Sequence, residues 1–173
     1  MNNIIIGNML MLIGSTIMIF CGIINKKNIA LIVQTVQLAF MTAGMAVLGS
    51  IPAMVVNILG CTRNIIGYYG KLTRSVRIFL IIITTTISLI FNNIGVFGLI
   101  PIISSILFIL LVDTKNIVVF KWLIAGTSAL WVVHDLYVCA YTAVAFDILS
   151  IVTSVISVVR YKNKIKKQGN QHR

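Results

Sequence analysis

Seven apolar runs follow one another along the chain, near residues 4–24, 29–49, 52–70, 75–92, 95–112, 117–136 and 142–160, with short polar breaks between them. Most approach the ~20 residues a helix needs to cross a ~30 Å hydrocarbon core. Only helices and closed barrels satisfy their backbones in lipid. A barrel strand alternates polar and apolar residues, whereas these runs are continuous, so they predict helices. Composition agrees: 10% of the 173 residues are charged and 59% are hydrophobic, against about 25% charged in an ordinary soluble domain. Such a surface must face lipid. No Lys or Arg precedes the first run, unlike the basic start of a secretory signal, so it is read as a retained span.

Charge fixes the count. Fourteen Lys and Arg stand against three Asp and no Glu, a net charge of +11. In a soluble chain that excess points to nucleic acid. Here the basic residues lie in loops and one tail, as the positive-inside rule requires, and no nucleic-acid partner is expected. The fourth run is short, with 14 residues from Ile78 to Phe91. If it spans, Lys26, Lys27, Lys71, Arg74, Arg77, Lys115, Lys121 and the six basic residues from Arg160 to Arg173 share one side, 13 of the 14. If it does not, the tail falls opposite Lys26 and Lys27. The sequence thus predicts an all-α membrane protein of seven transmembrane helices, N-terminus outside and C-terminus cytoplasmic, with the lipid bilayer as its environment. Cys21, Cys61 and Cys139 form no CxxC pair, so neither a disulfide framework nor a zinc site is expected, and no cofactor is implied.

A weak internal repeat runs through the chain. Asn25-Lys26-Lys27-Asn28-Ile29 matches Asp113-Thr114-Lys115-Asn116-Ile117 at an offset of 88, as Ile6-Gly7 matches Ile94-Gly95 and Phe20 matches Phe108. At an offset of 90, Asn57 pairs with Asp147 and Asn64 with Ser154. Two like-oriented three-helix units, 1–71 and 94–160, joined by a linker helix in 72–93 and followed by a basic tail at 161–173, give a 3+1+3 plan with parallel repeats.

Polar side chains inside spans are costly and mark functional sites by default. Asn57, Gly60, Asn64 and Gly67 lie on one face of the third helix, and Asp147, Ser150, Ser154 and Ser157 repeat that spacing in the seventh. Ordinary helix packing with hydrogen-bonded Ser and Asn explains such a seam about as well as a solute site does. Arg63 shifts the balance. A central Arg costs ~2.5–3.5 kcal/mol on insertion scales, so it should face the bundle interior, either paired with Asp147 or meeting an anionic solute group; the pair is slightly favoured. Trp131, His134 and Asp135 fall near the outer end, where aromatic anchors and exposed polar groups are ordinary. Pro101 removes a backbone hydrogen bond and marks a bend or hinge in helix 5.

The stretch Ser128-Ala129-Leu130-Trp131-Val132-Val133-His134-Asp135-Leu136, followed by Asp147 and Arg160-Tyr161, resembles the C-terminal half of the YgjV-type bacterial inner-membrane proteins, and Asn57 with Arg63-Asn64 resembles their first half. That family is distantly similar to the SWEET and PQ-loop transporters. The resemblance implies the 3+1+3 plan, the N-out orientation and a central solute site lined by Asn57 and Asp147, with Trp131 a weaker candidate. Two features depart from the transporter pattern: Pro101 is followed by Ile102 and not Gln, and an Asp stands at the second expected Asn.

These readings converge on a carrier of a small polar solute, its site built from Asn57, Arg63, Asn64, Trp131, Asp147, Ser150 and Ser154. Seven spans in two units can form such a pathway as a monomer. The alternative is a non-transporting receptor, assembly factor or partner subunit in the inner membrane. No HExxH, GxSxG or Walker signature is present and acids are few, so an enzyme is not expected.

Overall fold

The computed structural model describes residues 2–23, 27–111 and 117–171. The basic loop residue Lys26 and the repeat segment 113–116 lie outside the described residues, as do the side chains of Phe20, Cys21, Lys27 and 162–171. Seven α-helices follow in order: α1 Asn2–Ile23, α2 Lys27–Val47, α3 Ile51–Tyr68, α4 Arg74–Ile90, α5 Leu99–Leu111, α6 Ile117–Tyr137 and α7 Tyr141–Gln171. One 3₁₀ turn, Gly95–Gly98, leads into α5, and no strand occurs among the described residues.

Their boundaries follow local chemistry. Pro52 sits in the first turn of α3, where a missing N–H has no intrahelical partner to lose. Pro101 is only the third residue of α5, so it begins that helix and does not bend it, contrary to the hinge expected from sequence. Thr73 caps α4 by accepting a hydrogen bond from the Val76 N–H at 3.4 Å. At the C-terminus α7 continues through the basic segment to Gln171, because Lys is a good helix former and no strong breaker precedes Gly169.

Each helix packs on its neighbours in a closed circuit. α1 lies on α2, α2 on α3, α3 on α5, α5 on α6, α6 on α7, and α7 returns to α1, while α4 leans on α3 and α5. Close approach of α1 and α2 depends on two glycines. A Cβ at Gly44 would stand 2.7 Å from Met11 and 3.0 Å from the Gly7 carbonyl, and one at Gly7 would stand 2.7 Å from Leu48. Small residues let membrane helices approach in this way.

The polarity of the bundle is inverted relative to a soluble protein. Its outer face carries Ile5, Met9, Phe79, Ile82, Leu149 and Val152, all strongly exposed. Its interior holds Ser15, Asn57, Asn64, Thr84, Ser104, Ser128, His134, Asp135 and Ser154. An apolar exterior this extensive needs lipid. By length and hydropathy alone, one stretch among the described residues, Tyr141–Tyr161, is long and apolar enough to cross a membrane, and α1, α2 and α5 contribute shorter apolar stretches.

The α2–α3 and α6–α7 connections are the same turn, bond for bond, at an offset of 90 residues. Leu48, Gly49 and Ser50 donate their N–H groups to Gly44, Ala46 and Met45, and Val138, Cys139 and Ala140 donate theirs to His134, Leu136 and Asp135. Gly49 (φ 80°) and Cys139 (φ 60°) hold the same left-handed position. Each turn is clamped by an asparagine from elsewhere. Asn93 donates to the Gly49 carbonyl (2.6 Å) and accepts from the Ile51 N–H (3.3 Å); Asn8 donates to the Cys139 carbonyl and accepts from the Thr142 N–H, each at 2.8 Å. Stacking of Phe97 on Tyr137, with centroids 3.9 Å apart, ties the same end together.

Candidate functional site

Two polar clusters lie inside the bundle. The first sits beneath the clamped turns. Ser50 precedes α3 at the N-cap position, yet its hydroxyl caps nothing. It meets His134 Nε2 at 2.9 Å, and the Ile51 N–H that needs an acceptor takes Asn93 in its place. On the other side of the ring, His134 Nδ1 lies 2.7 Å from Asp135 Oδ1. Ser50 and His134 are fully buried and Asp135 is 1% exposed. The second carboxylate oxygen of Asp135, Oδ2, is buried without an N–H or hydroxyl donor. Asp135 is instead beside another acid, Asp147 of α7, which has Ser128 as a further neighbour. Trp131 stands edge-on to the His134 ring, centroids 5.4 Å apart, and packs against the apolar core around Met11, Met45 and Ala140.

The second cluster lies deeper along α3. Arg63 is twelve residues from the start of that helix, ~18 Å at 1.5 Å per residue. Its Nε and Nη2 donate to Asn64 Oδ1 at 3.3 and 3.1 Å. The guanidinium carbon lies 4.9 Å from the centroid of the Phe108 ring, a cation–π contact of the kind that partly offsets desolvation. Asn64 is 2% exposed and its Nδ2 has no acceptor. A groove of about 380 Å³ between α2 and α3, lined by Leu31, Thr35, Val36, Asn64, Ile65 and Tyr68, reaches this side chain. Asn57, Arg63 and Asp147 do not line it.

The residues singled out from sequence are thus divided. Arg63 and Asn64 come together; Asp147 and Trp131 belong to the other cluster. Asn57 and Ser154 are buried, and Ser150 is half-buried on α7. The favoured Arg63–Asp147 ion pair does not form. Asp147 is six residues into α7, ~9 Å from its start, so the two groups differ in depth, and α7 packs on α6 and α1, not on α3. Helices 3 and 7 therefore do not share one seam. His134 and Asp135 are corrected too: they are buried, not exposed at a membrane interface. Sequence reasoning missed Ser50 altogether. The available signal was a His-Asp pair inside an apolar run, preceding a turn whose counterpart carries a serine.

No metal-binding group of three or more His, Cys, Asp or Glu occurs among the described residues. Neither the curated proteins nor the solved structures include a match to the chain. The Imp-YgjV family model, described as a bacterial inner membrane protein, matches residues 5–165, nearly the whole length. With its lipid-suited exterior and polar interior, the chain belongs to this family of bacterial inner membrane proteins.

Proposed function

We propose that the protein carries a small polar solute across the inner membrane by rocking of two three-helix units, α1–α3 and α5–α7, about a site in the bundle interior. The observation that carries this reading is the second cluster. Asn64 Nδ2 is a buried donor without an acceptor, and beside it the half-buried Arg63 guanidinium adds a positive charge whose acceptor is Asn64 Oδ1. Buried donors left unpaired cost about 1–3 kcal/mol each, and a solute bearing carboxylate, phosphate or hydroxyl oxygens removes that cost. The two identical turns and the circuit in which α3 meets α5 as α7 meets α1 support parallel repeats. An N-out, seven-span arrangement with 13 of 14 basic residues on the cytoplasmic side completes the proposal.

A hydrolase reading of Ser50, His134 and Asp135 is disfavoured. Their order matches a nucleophile, base and orienting acid, but the Ser50 hydroxyl is fully buried, leaving no room for an acyl group beside it. A non-transporting partner subunit is the second reading, favoured by the dense bonding of the turn end.

A flux assay separates the two. Reconstituted into liposomes with a panel of radiolabelled organic acids, amino acids and sugars, the protein should move at least one class. Arg63→Ala should abolish that movement in a variant that still elutes as a folded species. Movement of no class, or movement indifferent to Arg63→Ala, removes the proposal.

A further inference from the structure

We propose that Asp135 and Asp147 hold one exchangeable proton between their carboxyl groups, making the cluster beneath the turns a proton-binding site that serves as the coupling site of the carrier. The coupling role rests on the transport reading above; the proton site itself stands on hydrogen-bond accounting. The His134 Nδ1–H supplies Asp135 Oδ1. Asp147 has the Ser128 hydroxyl beside it. What remains is Asp135 Oδ2, buried with no N–H or hydroxyl donor, in a side chain that touches Asp147. The acid proton of a carboxyl group, with Asp147 beside it, fills that position. With it, every polar atom of Asp135 is matched; without it, the buried Asp135 carboxylate meets a second, half-buried carboxylate, an arrangement that like charges disfavour.

Charge counting leads to the same place. With both carboxylates ionised and His134 neutral the cluster carries two negative charges; one proton between the acids leaves one, and a second on His134 leaves none. Among the described residues no cation is paired with the ionised acids. Arg63 is turned to Asn64 and Phe108. The helices packed against α6 and α7, namely α1 and α5, contain no acidic or basic side chain, and the Gly95–Gly98 turn contains none. His134 faces Asp135 and Ser128 lies beside Asp147, while Ser50 from the α2–α3 turn and Trp131 face the pair only through His134. Two like charges in one site repel each other, so the cluster is held together while it keeps its proton and the packing of α6 on α7 is loosened when both acids ionise. One proton is taken up and one released in each cycle, with no redox change.

Trp131 supplies a readout that needs no solute. In the full-length protein with Trp122→Phe, emission comes from Trp131 alone, edge-on to His134. Its intensity should change with pH as the pair titrates, and the infrared spectrum of the wild type should hold a protonated-carboxyl band that is lost as the pH is raised. Asp147→Asn, whose amide N–H can still donate to Asp135, should fold, lose that band, and move the Trp131 midpoint by about one pH unit or more. A wild type without the carboxyl band, or an Asp147→Asn protein that titrates like the wild type, overturns the proton site; the wild-type infrared result decides even if the variant fails to fold. Flux distinguishes the remaining case. If a solute moves at a rate indifferent to a pH gradient and to Asp147→Asn, transport stands and proton coupling falls. If titration is present and nothing in the panel moves, the transport reading fails and the proton site stands.

Discussion

Asn8 and Asn93 show how single side chains fasten this bundle. Each amide donates to the carbonyl of a left-handed residue and accepts from an N–H of the following helix's first turn, so one side chain supplies both partners that a turn lacks. Interhelical hydrogen bonds in membrane proteins average ~0.6 kcal/mol, with a maximum near 1.7. Asn8→Ala and Asn93→Ala should therefore each destabilise the protein by about 1–2 kcal/mol, read as a lower melting temperature in detergent. Asn→Asp at either position should be nearly as damaging, because it keeps the acceptor and loses the donor. Arg63 should behave in the opposite sense. Replacing it with Met removes an insertion cost of ~2.5–3.5 kcal/mol, at the loss of the Phe108 contact and two bonds to Asn64. Arg63→Met is expected to melt no lower than the wild type while solute movement ceases, the trade between stability and activity common at binding sites. A variant that unfolds would make Arg63 a structural strut.

At the level of elements, the two equivalent turns allow a paired test. The left-handed position costs a non-glycine residue about 1–2 kcal/mol, and Cys139 occupies it where its counterpart is Gly49. Cys139→Gly should stabilise the protein by about 0.5–1 kcal/mol after glycine's greater freedom in the unfolded chain is deducted, and Gly49→Ala should destabilise it by a similar amount. Helix contacts give a second pair. Gly44→Ala places a Cβ against Met11 and the Gly7 backbone and should cost about 1–3 kcal/mol, whereas at Gly67 the nearest atom to a Cβ is Leu31 Cδ1 at 3.5 Å, an ordinary contact, so Gly67→Ala should be neutral. Thermal denaturation of the four variants in one detergent checks both pairs. Most of the helices were legible in the sequence, since their ends coincide with Lys, Asn, Gly and Pro punctuation. The identity of the two turns was half legible: the offset of 90 was visible in Asn57 and Asp147, but a Gly matched to a Cys gives no composition signal. What sequence could not convey was which side chains meet. Arg63 and Asp147 complement one another in charge, yet depth along α3 and α7 separates them, and depth depends on where each helix begins. His134 looked like an interface residue because it lies three positions from a helix end; it is buried because Ser50 from the α2–α3 turn covers it.

For the whole molecule, the open matter is how the circuit of helices sits in the bilayer, and α4 decides it. α4 has 17 residues, ~25 Å at 1.5 Å per residue, slightly less than a ~30 Å core, and Arg74 and Arg77 both stand at its start. Arg side chains near a helix end extend toward the interface, which lengthens the reach of a short span. Thr84 and Ser88 are buried on its inner face while Phe79 and Ile82 are strongly exposed, the pattern of a helix held between bundle and lipid. The residues just before and just after α4 should then lie on opposite sides of the membrane. Lys71 is exposed before it, and Val96, 78% exposed, follows it in the 3₁₀ turn. With Cys21, Cys61 and Cys139 replaced by Ala, a single cysteine at position 96 should react with an impermeant maleimide in cells whose outer membrane alone is opened. A cysteine at position 71 should react only once the inner membrane is also breached. The reverse pattern would invert the orientation while keeping the span. Labelling of both from one side would show that α4 does not cross, and the two three-helix units would then face opposite ways, ending the parallel-repeat arrangement on which the proposed rocking motion depends.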